Sequence, residues 1–259
     1  MPAYEVTRSL IEASLAELAE IYRWVNGRER PENPVPVLIG GWAVYCYSPW
    51  YGSIDIDLVT NSRTRQHLMR HLLASREFIR RRNPPFRNSI VKVTPQKGEI
   101  IIDFISQDER NCFEGRDESC PMTLLNGRTI QKEISPGASV TIPKRSLLLL
   151  LKVKAAWDRA YRIQEHTSDN EDWEKGKLRK DRADILSLID PDNGGKELDL
   201  MFLGEMMQTY PFLLEVLTII PDDRDALQMY GHMDRDAAQN VILDVLSLIR
   251  YMPSSHPEQ

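Results

Sequence analysis

The sequence predicts an α+β protein in which a small mixed β-sheet flanked by helices is followed by a C-terminal helical domain. Three observations predict it. Residues 4–26 repeat apolar side chains at helical spacing, from Leu10 and Ile11 through Leu15, Leu18, Ile21 and Tyr22 to Val25. Between about Val35 and Ile142 short apolar strands alternate with helical stretches. After Pro143 the helical period takes over. These shifts divide the chain into an N-terminal helix packing on the sheet domain (1–32), the sheet domain (33–145) and a helical domain (146–259).

Each element has a local reason. The first helix ends at Asn26-Gly27, and the turn-rich "RERPENPVP" separates it from the region of strands. "VPVLIG" reads as a short strand, "GWAVYCYS" as a helix opening at the glycines, and "SIDIDLVT" as a second strand. "NSRTRQHLMRHLLASREF" begins with an Asn/Ser cap signal and continues as a helix. "NSIVKVTPQ" and "GEIIIDFIS" form an antiparallel pair across Pro95–Gly98. Gln107–Ile130 is polar and irregular, and "SVTIP" is read as a last short strand. "KRSLLLLLKVKAAWDRAYRIQ" is a helix whose leucine run is core, "EHTSDNEDWEKGK" a polar loop, and "LRKDRADILSLI" a helix. Two to four more helices fill 195–252, and "PSSHPEQ" is expected to fray.

Composition narrows the function classes. The chain has 259 residues, 42% hydrophobic and 27% charged, ordinary for a globular protein. Its purely apolar runs, Leu147–Leu151 among them, are far shorter than the roughly 20 residues a membrane-spanning helix needs, so no membrane association is expected. Glu5, Glu12, Glu17 and Glu20 interrupt the N-terminal helix and do not fit a secretory signal. Cys46, Cys112 and Cys120 have neither CxxC spacing nor an even count, which fits a reducing cytoplasm. The net charge of −5 gives no global reason for a nucleic-acid partner. Locally, Arg76, Arg80, Arg81, Arg82, Arg87 and Lys92 crowd one region, read as a solvated face or as an RNA-binding patch.

The chemistry concentrates in "VLIGGWAVYCYSPWYGSIDIDLV". Asp55 and Asp57, two apart on a strand, leave one face while Ile54, Ile56 and Leu58 point into the core. Adjacent carboxylates repel and lose hydration beside an apolar wall unless a cation sits between them. Magnesium, or manganese, prefers such oxygen ligands and shares sites with phosphates. Gly40-Gly41 ends a strand and opens a helix, so bare main-chain N–H groups can face an anion. Asp103 is the lone charge within the apolar core of "EIIIDFI" and needs a partner or a metal.

These residues resemble the signature of the DNA polymerase β-like nucleotidyltransferase superfamily, a glycine pair, a short helix and Ser/Thr-x-Asp-x-Asp. "IGGWAV" is especially similar to the antibiotic nucleotidyltransferases and to the AbiEii and minimal-nucleotidyltransferase group of toxin–antitoxin systems. The resemblance implies a nucleotidyltransferase fold and transfer of an NMP from an NTP to a hydroxyl of a protein, an RNA or a small molecule, with release of pyrophosphate. It implies that Gly40, Gly41 and Ser53 lie on the phosphate side and that Asp55 and Asp57 are metal ligands. It makes Asp103 the third metal-side acid and general base. "LLLKVKAAWDRAYR" and "KDRADI" resemble the helical segment after the catalytic sheet, which places Lys152 near the triphosphate with Arg159, Lys180 and Asp181 as companions. Where many relatives carry a basic residue before the Ser/Thr, this chain has Pro49, Trp50 and Tyr51.

Other readings stay open. The same fold could serve as a catalytically inactive nucleotide- or partner-binding component of a toxin–antitoxin pair, with the C-terminal helices as the partner surface. A lone Asp-x-Asp also marks metal-dependent glycosyltransferases. Asp103 could be a structural acid paired with an arginine, and Lys152 could extend from a helix surface. Lys154, on another face, is expected in solvent. His67 and His71 have i, i+4 spacing without the Glu of HExxH and read as surface histidines. Trp42 and Trp157 read as packing residues.

Overall fold

A computed structural model describes residues 7–32, 34–80, 88–95 and 98–250. They fall into two compact units. One lies within Glu5–Cys112 and Ser119–Lys144, the other within Phe113–Glu118 and Arg145–Gln259. Arg81, Arg82, Arg87 and the C-terminal "PSSHPEQ" lie outside the described residues.

The first unit is built on a seven-stranded mixed sheet. Its strands are β1 (Val37–Ile39), β2 (Asp55–Thr60), β3 (Ile79–Arg80), β4 (Ser89–Val93), β5 (Glu99–Ser106), β6 (Thr129–Ser135) and β7 (Ala138–Pro143), in the order β3-β4-β5-β2-β1-β7-β6. The β2–β5 and β1–β7 pairs are parallel, and the other neighbours run antiparallel. Strand period decides the faces: Ile56, Leu58, Ile102 and Phe104 are buried on one side, whereas Asp55, Asp57 and Asp103 are half-buried on the other. The β6 edge strand was not foreseen. None of its residues is buried, so it carries no apolar alternation to read.

Helix α1 (Arg8–Val25) is capped by Thr7, whose side chain accepts from the Leu10 N–H. It buries Leu18, Ile21 and Tyr22 and anchors the segment that carries the glycines. The Trp42 indole, fully buried, donates to Ser14 Oγ at 3.1 Å, and Ser14 Oγ donates to the Ile54 carbonyl at 3.3 Å. That relay ties the short helix α2 (Gly40–Tyr45) and the start of β2 to α1. The Asn61 cap signal does start α3 (Ser62–Ser75), its side chain accepting from Thr64 N–H at 2.8 Å.

The second unit is helical. Helix α4 (Arg145–Gln164) buries Leu147 to Leu150 and pairs with α5 (Glu171–Ile189). Helix α5 starts inside the stretch expected to be loop, because Asn170 caps it and Glu171, Asp172 and Glu174 complement the positive end of its dipole. The remaining helices are α6 (Leu200–Thr209), α7 (Leu213–Ile219), α8 (Arg224–Tyr230) and α9 (Arg235–Arg250). The segment Phe113–Glu118, assigned on sequence to the 33–145 domain, joins this unit. Phe113 packs on Tyr210 and Phe212 at ring distances of 4.9 and 5.0 Å, and Arg116 lies 4.0 Å above the Phe212 ring.

Candidate active site

Parallel pairing of β2 with β5 sets Asp57 opposite Asp103, and β4 sets Ser89 on the far side of Asp103. On the other flank, antiparallel β1 places Ile39 opposite Asp57, immediately before the glycine bend. A row Ser89, Asp103, Asp57, Ile39 therefore crosses four strands on one face, with Asp55 one pleat along from Asp57. Strand spacing of about 4.8 Å brings the Asp57 and Asp103 side chains within reach of one small ion. Like charges directly across a strand pair destabilise a sheet unless something neutralises them.

Gly40 completes the arrangement. Its φ is +70°, a left-handed conformation that suits glycine, and a β-carbon there would collide with the Asp57 carboxylate. The missing side chain thus lets the main-chain bend close against Asp57. Gly41 is buried in α2, whose N-cap residue Ile39 makes no side-chain capping bond. At six residues the helix is shorter than expected, so the bend contributes local N–H dipoles more than a long macrodipole. Ser53 is buried and its Oγ accepts from the Asp55 N–H at 3.3 Å, fixing the start of β2.

The donor set of Asp55 and Asp57, oxygen only and half-exposed, fits a hard divalent cation. Asp103 is differently engaged. Ser89 Oγ donates a hydrogen bond to its Oδ1 from the strand away from Asp57. Among the described residues, no group of three or more His, Cys, Asp or Glu side chains is gathered to hold an ion. Sequence reasoning missed Ser89, whose place emerges only from strand register.

The second set of candidates, Lys152, Arg159, Lys180 and Asp181, also comes together, within the helical unit. Lys152 Nζ lies 2.7 Å from both Asp181 and Asp184, and all three are buried. Arg159 pairs with Asp181 at 2.7 Å and with Glu174 at 3.2 Å, and Lys180 pairs with Asp184 at 2.9 Å. Burial alone would lower the Lys152 pKa, but Asp181 and Asp184 outweigh it and hold the ammonium above its ordinary range. Burial would raise the Asp181 carboxyl, but Lys152 and Arg159 hold it well below the usual carboxylate range. Burial makes Lys180 the exception, lowering it. Lys152 therefore does not extend from a helix surface. Asp184 was overlooked, although its i, i+4 spacing from Lys180 was readable.

Three further expectations change. Lys154 is buried, not solvated, because Asp158 pairs with it at 2.6 Å and the Phe113 ring lies 5.0 Å from its Nζ. Arg76 and Lys92 do not form a free basic face: both pair with Glu17 of α1, at 3.1 and 2.8 Å. His67 is exposed as expected, but His71 is half-buried and stacks on Trp24. In comparisons with known proteins, no family model matches the chain and no curated protein matches it in sequence.

Proposed function

We propose that the chain is a metal-dependent nucleotidyltransferase of the DNA polymerase β-like fold that moves an NMP from an NTP to a hydroxyl acceptor. The observation that carries this reading is the Asp57–Asp103 pairing across parallel β2 and β5, with Asp55 on the same face and the Gly40 bend closed against Asp57. Asp55 and Asp57 would hold magnesium or manganese, which when bound neutralises the triphosphate and polarises the α-phosphate. Gly40 and Gly41 N–H groups and the Ser53 hydroxyl stand on the phosphate side. The acceptor oxygen attacks the α-phosphorus as its proton passes to an Asp103 oxygen. The bond from that phosphorus to the bridging oxygen breaks, and pyrophosphate leaves.

The acceptor class is a protein side chain, an RNA end or a small molecule, and the cysteine pattern supports a cytoplasmic setting for the reaction. Among the described residues no helix is long and apolar enough to cross a membrane. The resemblance puts Lys152 on the phosphate side. Its two aspartate partners favour instead a role in holding α4 to α5.

The Ser89 bond to Asp103 favours a second reading, a protein of the same fold that binds nucleotide or a partner without turnover. Transfer from α-labelled NTPs separates the two. Magnesium-dependent label transfer that disappears in Asp57→Ala supports the enzyme, whereas metal-dependent NTP binding with no transfer supports the binding module. Transfer that survives Asp57→Ala would defeat the assignment of the site.

A further inference from the structure

The histidine pair of α3, which the proposed chemistry does not use, faces a pocket of about 450 Å³ within the sheet unit. Trp24 and Val35 supply apolar wall, and among the described residues Arg28, Arg70, His67 and His71 supply every titratable group that lines it. No Asp or Glu is among those lining residues. The wall is prebuilt. His71 stacks on Trp24 with ring centroids 4.4 Å apart and planes 9° from parallel, and the Arg28 guanidinium lies 4.9 Å from the same indole. Arg28 Nη1 also donates to the Trp24 carbonyl at 2.6 Å. The segment that enters β1 beside the pocket is tied down by Thr64 donating to the Pro34 carbonyl at 3.2 Å and Tyr22 donating to the Pro36 carbonyl at 2.8 Å.

We propose that this pocket is a binding site for a small organic carboxylate with a bulky apolar body. The volume suits a ligand of that size, and preformed pockets of this kind combine an apolar lining with a few convergent polar groups. Two guanidiniums, Arg28 and Arg70, without a lining carboxylate select an anion, the two histidines add ring N–H groups, and Arg70 offers the planar fork that a carboxylate matches. Burial first, then the fields of Arg28 and Arg76, lower the His71 pKa and favour its neutral ring. A zinc ion is the poorer occupant, since the His71 ring is stacked and no third metal ligand is among the described lining residues. The site uses none of the aspartate row and stands or falls independently of nucleotidyl transfer.

Calorimetric titration of the full chain with 2-naphthoate and with neutral 2-naphthalenemethanol, followed in parallel by the tryptophan indole NMR signals, tests it. Saturable binding of 2-naphthoate at least about tenfold tighter than the alcohol is expected, with the Trp24 indole shifting. Ala74→Trp, at an exposed lining position, should fill the pocket and abolish binding of both probes. Arg70→Gln, also exposed, should erase the preference for the acid and keeps the test decisive if the Ala74→Trp variant fails to fold. The proposal is overturned if 2-naphthoate shows no saturable binding, if acid and alcohol bind equally, or if the preference survives Arg70→Gln.

Discussion

Two glycines with the same φ isolate what the Asp57 carboxylate asks of its neighbour. Gly40 and Gly127 both have φ of +70°, but a β-carbon at Gly127 would meet nothing, whereas one at Gly40 would strike Asp57. Each substitution by alanine adds a left-handed penalty of about 1–2 kcal/mol. Gly40→Ala should therefore lower the melting temperature more than Gly127→Ala and weaken manganese binding, while Gly127→Ala leaves that binding unchanged. Equal effects of the two would mean that Asp57 moves aside freely. The glycine and aspartate pattern of this site was legible because a bend without side chains and acids in an apolar strand violate local preference. Ser89 was not legible, since a serine at the start of a strand violates nothing.

At the scale of elements, the Trp42–Ser14–Ile54 relay and the α4–α5 ion network make separate predictions. Ser14→Ala strands the buried Trp42 N–H and should cost about 1–3 kcal/mol in urea unfolding. Asp181→Asn removes one carboxylate partner from each of Lys152 and Arg159, which keep Asp184 and Glu174, and should cost about 1–3 kcal/mol. The pH dependence has a defined sign. The folded Asp181 pKa is depressed below its ordinary value of 3.8, so its contribution is present above that value and is lost as pH falls through the folded pKa. The stability gap between wild type and Asp181→Asn should be constant at neutral pH and shrink below about pH 4. A gap that widens on acidification would contradict the ion-pair origin. Strands β1, β2, β4 and β5 were readable from their apolar runs. The start of α5 was hidden because its first turn is polar, and Lys154 was misplaced because its burial depends on Phe113, a residue distant in sequence.

For the whole molecule, the three thiols report the folded state. Cys112 is exposed, Cys120 is buried, and burial pushes the Cys46 thiol up to about 12. Native protein should therefore label rapidly with Ellman's reagent at Cys112, slowly at the half-buried Cys46, whose thiolate is scarce, and at Cys120 only on denaturation. Rapid labelling of Cys46 in the native state would show that the packing around α2 is looser than described. The helical period after Pro143 was visible in the sequence, but the grouping of Phe113–Glu118 with the helices was not, because it rests on ring contacts with Tyr210 and Phe212. The proposed function requires a divalent ion held by the aspartate row. Electron paramagnetic resonance titration of manganese, with a non-hydrolysable NTP present, measures this in wild type, Asp57→Asn and the exposed control Asp225→Asn. Saturable binding that weakens at least about tenfold in Asp57→Asn and not in the control is predicted; wild-type protein that binds no manganese, or an Asp57→Asn variant that binds it equally well, would contradict it.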